Sequence, residues 1–128
     1  MIDNAVAAQV VNYGAAYANA AALAANTAVQ VVAPGANVNG CIVWRATAVS
    51  SSAAGDPFAS LVAKASAPAT IVDGDVIMGC DGYPSGAGTH TTSAKLDQPV
   101  KVAAGKGIYF IATVAEASGV RSCLYTLL

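Results

Sequence analysis

The chain has 128 residues and a mass of 12.6 kDa, which is one domain's worth of sequence. Apolar residues make up 55%, charged residues 10%, and the formal net charge is −1, where an average globular chain is about a quarter charged. That balance excludes intrinsic disorder, which needs low hydrophobicity and high net charge, and six basic residues are too few for a duplex-DNA interface.

Thirty alanines supply much of the apolar share, and residues 1–26 are dominated by Ala, Asn and Val. No charge occurs between Asn4 and Trp44. A membrane-spanning helix is not expected there, because Gln9, Asn12, Asn19, Asn26 and Gln30 interrupt the run and amides are costly in lipid. The start, Met1-Ile2-Asp3-Asn4, carries an acid and no base, so a secretory signal is not expected either. Alanine favours helix, and Tyr13 and Tyr17 stand four apart, while Gly14 and the asparagines oppose that reading. Residues 1–26 are therefore read as an N-terminal arm, helical or extended. The arm either packs on its own domain or reaches onto a neighbouring subunit, with Val10, Tyr13, Tyr17 and Leu23 as contact residues.

From Thr27 the pattern changes to strands and turns, and residues 27–128 are read as one β-sandwich domain. Ala28–Ala33 is a valine-rich strand, and Pro34-Gly35 and Asn39-Gly40 are turns. Cys41–Val49 is the next strand, followed by a break at Gly55-Asp56-Pro57. Ser60–Ala65 and Ala69–Val72 are short strand candidates separated by Pro68. Asp73-Gly74-Asp75 turns into Val76–Cys80, and Asp81–Ser93 reads as a long loop. Pro99–Ala103 leads through Gly105-Lys106-Gly107 into Ile108–Ala115, which is expected to form a hairpin with Val120–Leu127. In that hairpin Ile108, Phe110, Ala112 and Val114 share one face, and Arg121, Cys123, Tyr125 and Leu127 share one face of the partner. Seven or eight short strands at this spacing predict an all-β, antiparallel sandwich or small barrel.

No catalytic set or cofactor motif stands out. His90 is the only histidine, and no CxxC or HxxxH spacing accompanies it, so no metal site is expected. Gly105-Lys106-Gly107 is not a phosphate-binding loop, because position 100 is Val and position 107 is Gly. Asp73 and Asp75 do not begin a calcium loop, because the twelfth position is Pro84. Cys41, Cys80 and Cys123 are odd in number and widely spaced, which fits buried reduced thiols better than a disulfide framework. Asp81, Tyr83 and His90 are the candidates for contact with a glycan or a partner, since loops on a rigid β scaffold often bind. Trp44 alternates with Ile42 and is expected in the core.

Two phrases, Val31–Val43 (VVAPGANVNGCIV) and Gln98–Phe110 (QPVKVAAGKGIYF), resemble strand–turn–strand segments of jelly-roll proteins in tailed-phage virions. Ala103 stands where those proteins commonly have proline. The resemblance implies a jelly-roll sandwich and a capsid decoration (cement) or tail accessory protein, often trimeric, and it transfers no catalytic residue. The expectation is a non-enzymatic structural subunit, located in the virion and assembled in the host cytoplasm. Its partners would be copies of itself, with a trimer favoured, and the major capsid or other virion proteins. Neither nucleic acid nor membrane is expected as a partner. The alternative is a glycan- or receptor-binding module built on the loop around Asp81 and Tyr83. A small Cys or Ser hydrolase is the third reading.

Overall fold

The computed structural model describes residues 15–53, 55, 57–79 and 90–128. Its strands are β1 (Ala15–Asn19), β2 (Val29–Val32), β3 (Cys41–Ser52), β4 (Ala59–Lys64), β5 (Asp75–Gly79), β6 (His90–Leu96), β7 (Val100–Val102), β8 (Gly107–Ala112) and β9 (Ser118–Leu127). The first sheet has the order β1-β9-β3-β6, with β7 also on β3, and the second has the order β2-β8-β4-β5. All pairings are antiparallel. β7 pairs with Cys41–Val43 and β6 with Ala46–Ser52, so the two follow one another along β3. Pro99, which has no N–H to give to a ladder, lies in the gap between them. Counted as one interrupted strand, β6 and β7 complete two four-stranded layers. The chain crosses between layers at every connection except β4–β5 and that gap. This is the strand order of a jelly roll.

Period-2 alternation sets the core. Along β3, Cys41, Val43, Ala46, Ala48, Ser50 and Ser52 are buried. The step of three between Val43 and Ala46 is a bulge. Val43 pairs with Tyr125 and Arg45 with Leu124, leaving Trp44 as the extra residue. Trp44 is therefore not in the core, contrary to expectation. It is half-buried on the outer side, and its Nε1 donates to Thr126 Oγ1 at 2.8 Å. Leu61, Ile108 and Phe110 fill the space between the layers opposite the small Ala46 and Ala48. β8 is buried along its whole length, in agreement with the apolar character of both its rows. On the outer row, Tyr109 lies against Gly107 and Pro34, where a Cβ on Gly107 would come within 2.8 Å of both. The β4–β5 connection lies against Val62 and Ala63, and it holds Gly74 at φ +130°, a conformation that side-chain-bearing residues rarely adopt.

Other expectations change. β8 and β9 are not a hairpin. They are central strands of opposite sheets, joined by a link that hydrogen-bonds to other elements: Thr113 N to Phe58 O, Glu116 N to Leu23 O and Ala117 N to Ser51 O. Apolar rows show which face is buried but not which strand lies alongside. Residues 69–72 form turns rather than a strand, and His90–Ser93 begins β6 rather than ending a loop. Ala15–Asn19 is a strand of the sandwich, paired with β9 from Ala15↔Tyr125 to Asn19↔Arg121. Tyr17 and Leu23, read as contacts either on the chain's own domain or on a neighbouring subunit, pack against the chain's own core. The ring of Tyr17 stacks on Phe110 with centroids 6.2 Å apart. Val10 and Tyr13 lie outside the described residues.

The two phrases read as turn-plus-strand meet in space. Asn37 is fully buried between them. Its Nδ2 donates to Ala103 O at 2.8 Å and Lys106 O at 2.9 Å, and its own carbonyl accepts from Gly105 N at 2.7 Å. Replacing Asn37 by Ala strips two buried carbonyls of their donor and is expected to cost about 1–3 kcal/mol. Asn37→Asp is expected to cost more, because it turns a buried donor into an acceptor facing two carbonyl oxygens. Urea unfolding of the two variants against wild type checks the order.

Candidate functional site

The charged groups singled out in the sequence are already engaged. Lys64 Nζ contacts Asp73 Oδ2 at 2.6 Å, and Ala69 N donates to the same oxygen at 2.8 Å. The Lys64 hydrogen bond, followed by that of Ala69, holds the Asp73 carboxyl below its usual range. Asp75 pairs with Lys106, so that lysine in the turn before β8 binds a carboxylate of its own chain. Among the described residues no three His, Cys, Asp or Glu side chains gather as metal ligands, and no helix is long and apolar enough to cross a membrane. His90 opens β6 opposite Ser52. Asp81, Tyr83 and Cys80 lie outside the described residues.

Cys41 and Cys123 are buried and unbridged. Burial, with a smaller contribution from Cys41, pushes the Cys123 thiol up to about 12. A raised thiol pKa keeps the folded form neutral. Its contribution to stability is complete below the unfolded pKa of about 8.5 and falls away as pH rises from there toward the folded value. In a Cys80→Ser variant, both remaining thiols are expected to resist a disulfide-exchange reagent at mildly alkaline pH and to react at once in urea. A spectrophotometric thiol assay reads the difference.

One end of the sandwich holds a buried ion pair. Glu116, in the β8–β9 link, contacts Arg121 of β9, with side-chain exposures of 0% and 2%. Ser50 Oγ donates to Glu116 Oε1 at 2.7 Å, and Leu23 N donates to Oε2 at 2.9 Å. Arg121 Nη1 donates to Asn19 Oδ1 and Ala21 O, each at 2.8 Å. Gly119 leaves room for the pair, since a Cβ there would overlap Arg121 Nη2 and Glu116 Oε2. These contacts fasten the β1–β2 crossover to the first sheet. The available signal was Arg121, a cation in an otherwise apolar inward row. Arg121→Ala leaves a carboxylate buried without its counter-ion and is expected to cost about 3–5 kcal/mol. Removing Glu116 as well should recover part of that loss in a double-mutant denaturation cycle.

The outer face of the first sheet exposes apolar side chains. Val49 of β3 and Val120 of β9 are directly opposite in register and are 44% and 59% exposed. Beside them Thr47 and Ser122 share a hydrogen bond of 2.7 Å, and Arg45 stands opposite Leu124. β1 extends the same face, with exposed Ala16 opposite Leu124 and exposed Ala18 opposite Ser122. The depression among Arg45, Thr47, Ser122 and Leu124 has a volume of about 200 Å³. A groove between β5 and β7, lined by Ala63, Val76, Ile77 and Val100, holds about 260 Å³. Both fall below the roughly 300–1,000 Å³ of small-molecule sites.

The outer edge of β1 completes this surface. β6 carries Lys95, β7 carries Lys101 behind Pro99, and β5 begins at Asp75. β2 has an irregular register and runs into Pro34. Such features discourage edge-to-edge pairing. β1 (AAYAN) has no charge, proline or register shift. Sequence reasoning did not single out Val49, Val120 or β1, whose alanines carry little strand signal. Comparison of the chain with protein-family models, curated proteins and solved structures finds no match to any of the three. Fold and surface together define a jelly-roll-like sandwich whose first sheet turns Val49 and Val120, with Arg45, Lys95 and Lys101 around them, away from the core.

Proposed function

We propose that the protein is a non-enzymatic structural subunit of a tailed-phage particle that decorates the capsid and stabilises it through subunit contacts. The observation that carries this reading is the outer face of the first sheet. It is exposed, sets small apolar and hydroxyl side chains beside Arg45, Lys95 and Lys101, and is bordered by β1, which carries no charge or proline. Its apolar centre at Val49 and Val120, with the cations around it, can pack against protein, because the cores of subunit interfaces are depleted in charged residues and their rims are polar. The depressions beside Arg45 and between β5 and β7 are smaller than usual small-molecule sites, and the buried polar network holds the β1–β2 crossover. The reading draws also on the resemblance of the two turn-plus-strand phrases to jelly-roll virion proteins and on the jelly-roll strand order of the chain. The partners are other copies of the chain, in a trimer, and the major capsid protein, and the location is the virion. The glycan-binding alternative rests on Asp81 and Tyr83, for which no geometry is described.

Light scattering on a size-exclusion column, followed by co-sedimentation with undecorated capsids, tests the proposal. The wild type is expected to run as an oligomer and to pellet with the particle. Val49→Lys and Val120→Lys together place two cations on the face at little cost to the fold, since exposed positions tolerate substitution within about 0.5 kcal/mol. The double variant is expected to lose association while unfolding at the same denaturant concentration. A wild type that stays monomeric and ignores particles, or a double variant that binds as well as wild type, overturns it.

A further inference from the structure

We infer that the outer face of the first sheet docks on an acidic protein surface, one carboxylate of which enters the depression between Arg45 and the hydroxyls of Thr47 and Ser122. This rests on the docking role proposed above for that face, and not on the partner being a capsid.

Charge is spread unevenly over the chain. Its six cations are Arg45, Lys64, Lys95, Lys101, Lys106 and Arg121. Four of them meet a carboxylate of their own chain: Lys64 with Asp73, Lys95 with Asp97, Lys106 with Asp75 and Arg121 with Glu116. These pairs use every Asp and Glu among the described residues. Arg45 and Lys101 are left over, with no carboxylate partner among the described residues. Both stand on the outer face of the first sheet, Arg45 opposite Leu124 and Lys101 opposite Ile42. Two unspent positive charges on one face of a chain whose net charge is −1 select a partner that presents carboxylates there.

Arg45 also belongs to a recess with further donors. Arg45, Thr47, Ser122 and Leu124 line the depression of about 200 Å³. Thr47 and Ser122 are opposite in register and share one hydrogen bond of 2.7 Å. Two hydroxyls carry two protons, and the shared bond uses one of them, whichever residue donates it. The other proton has no acceptor among the described residues. A free hydroxyl proton beside a guanidinium is a donor set for an oxygen anion. The planar fork of the guanidinium matches the two oxygens of a carboxylate. Asp97, which follows β6, is held by Lys95 at 3.1 Å and not by Arg45. The recess is smaller than usual small-molecule sites, but docking asks it to hold only one side chain. The surface around it is uncharged and apolar, at Leu124, Ala16 and Ala18 and then at Val49 and Val120. Isolated cations among apolar side chains suit protein. A nucleic acid carries a phosphate at every nucleotide and is held by many cations, and this face has two to spare.

The test records amide NMR spectra of the purified protein during titration with two acetylated tripeptide amides, Leu-Glu-Leu and Leu-Gln-Leu. The expected result is shifts at Arg45, Thr47, Ser122 and Leu124 with the glutamate peptide, and a several-fold weaker response to the glutamine peptide. Arg45→Gln should weaken the glutamate response several-fold. Arg45→Lys, which keeps the charge and loses the fork, should fall between. Unfolding of both variants at the wild-type urea concentration shows that the fold is kept. Equal responses of the wild type to the two peptides, shifts that map elsewhere, or an unchanged response in Arg45→Gln overturn the inference. So does a stronger response of the same residues to a single-stranded oligonucleotide than to the glutamate peptide. A wild type that ignores capsids yet shows the glutamate shifts counts against the phage reading alone. One that pellets with capsids yet shows none of them counts against the carboxylate site alone.

Discussion

The carboxylate of Glu116 holds more of the architecture together than any other single group. Its two oxygens receive Arg121 from β9, Ser50 from β3 and the main chain at Leu23. Arg121 then reaches Asn19 and Ala21. Two central strands of the first sheet, the β8–β9 link and the β1–β2 crossover thus meet at one buried ion pair. Burying two charges is expensive, and a well-packed apolar cluster of the same volume is often as stable. Such a cluster would leave the amides and carbonyls of residues 19–23 without partners. The polar pair satisfies them, which explains why two of the chain's few charges are spent in its interior.

The same pair bears on how the first strand forms. Residues 15–19 are alanine-rich and have little intrinsic strand preference, and the sequence left helix and extended chain open. Pairing with β9, stacking of Tyr17 on Phe110 and the Arg121 bond to Asn19 supply what propensity does not. Tertiary context overrides local preference here, as it commonly does in sheets. The strands from β2 onward were legible because valine- and isoleucine-rich runs are punctuated by Pro34-Gly35, Asn39-Gly40, Asp73-Gly74 and Gly105-Lys106. Their assignment to layers was not legible. The rows of β8 and β9 show which side chains face inward, and this is equally true of a hairpin and of two strands in facing sheets.

The candidate surface was legible only in part. Val120 and Ser122 read as ordinary strand residues, because an exposed outer row and one covered by another layer have the same period. The bulge at Trp44 also escapes sequence pattern: a single extra residue moves Trp44 outward and returns Ala46 to the core. The charges, proline and irregular register on the β2, β5, β6 and β7 edges, set against the plain sequence of β1, stand out only when all are seen as edges. Low charge was visible from composition, but its location was not. The interior contains Glu116 and Arg121, while Arg45, Lys95 and Lys101 stand on the outer face of the first sheet.

The position of Trp44 gives this surface a built-in reporter. It is the chain's one tryptophan, half-buried on the outer side of β3 with its indole N–H tied to Thr126. An indole there exchanges water for protein when another surface covers the sheet, and its emission moves to shorter wavelength as it does so. Association can therefore be followed on the native molecule, without a dye and without altering the face under study.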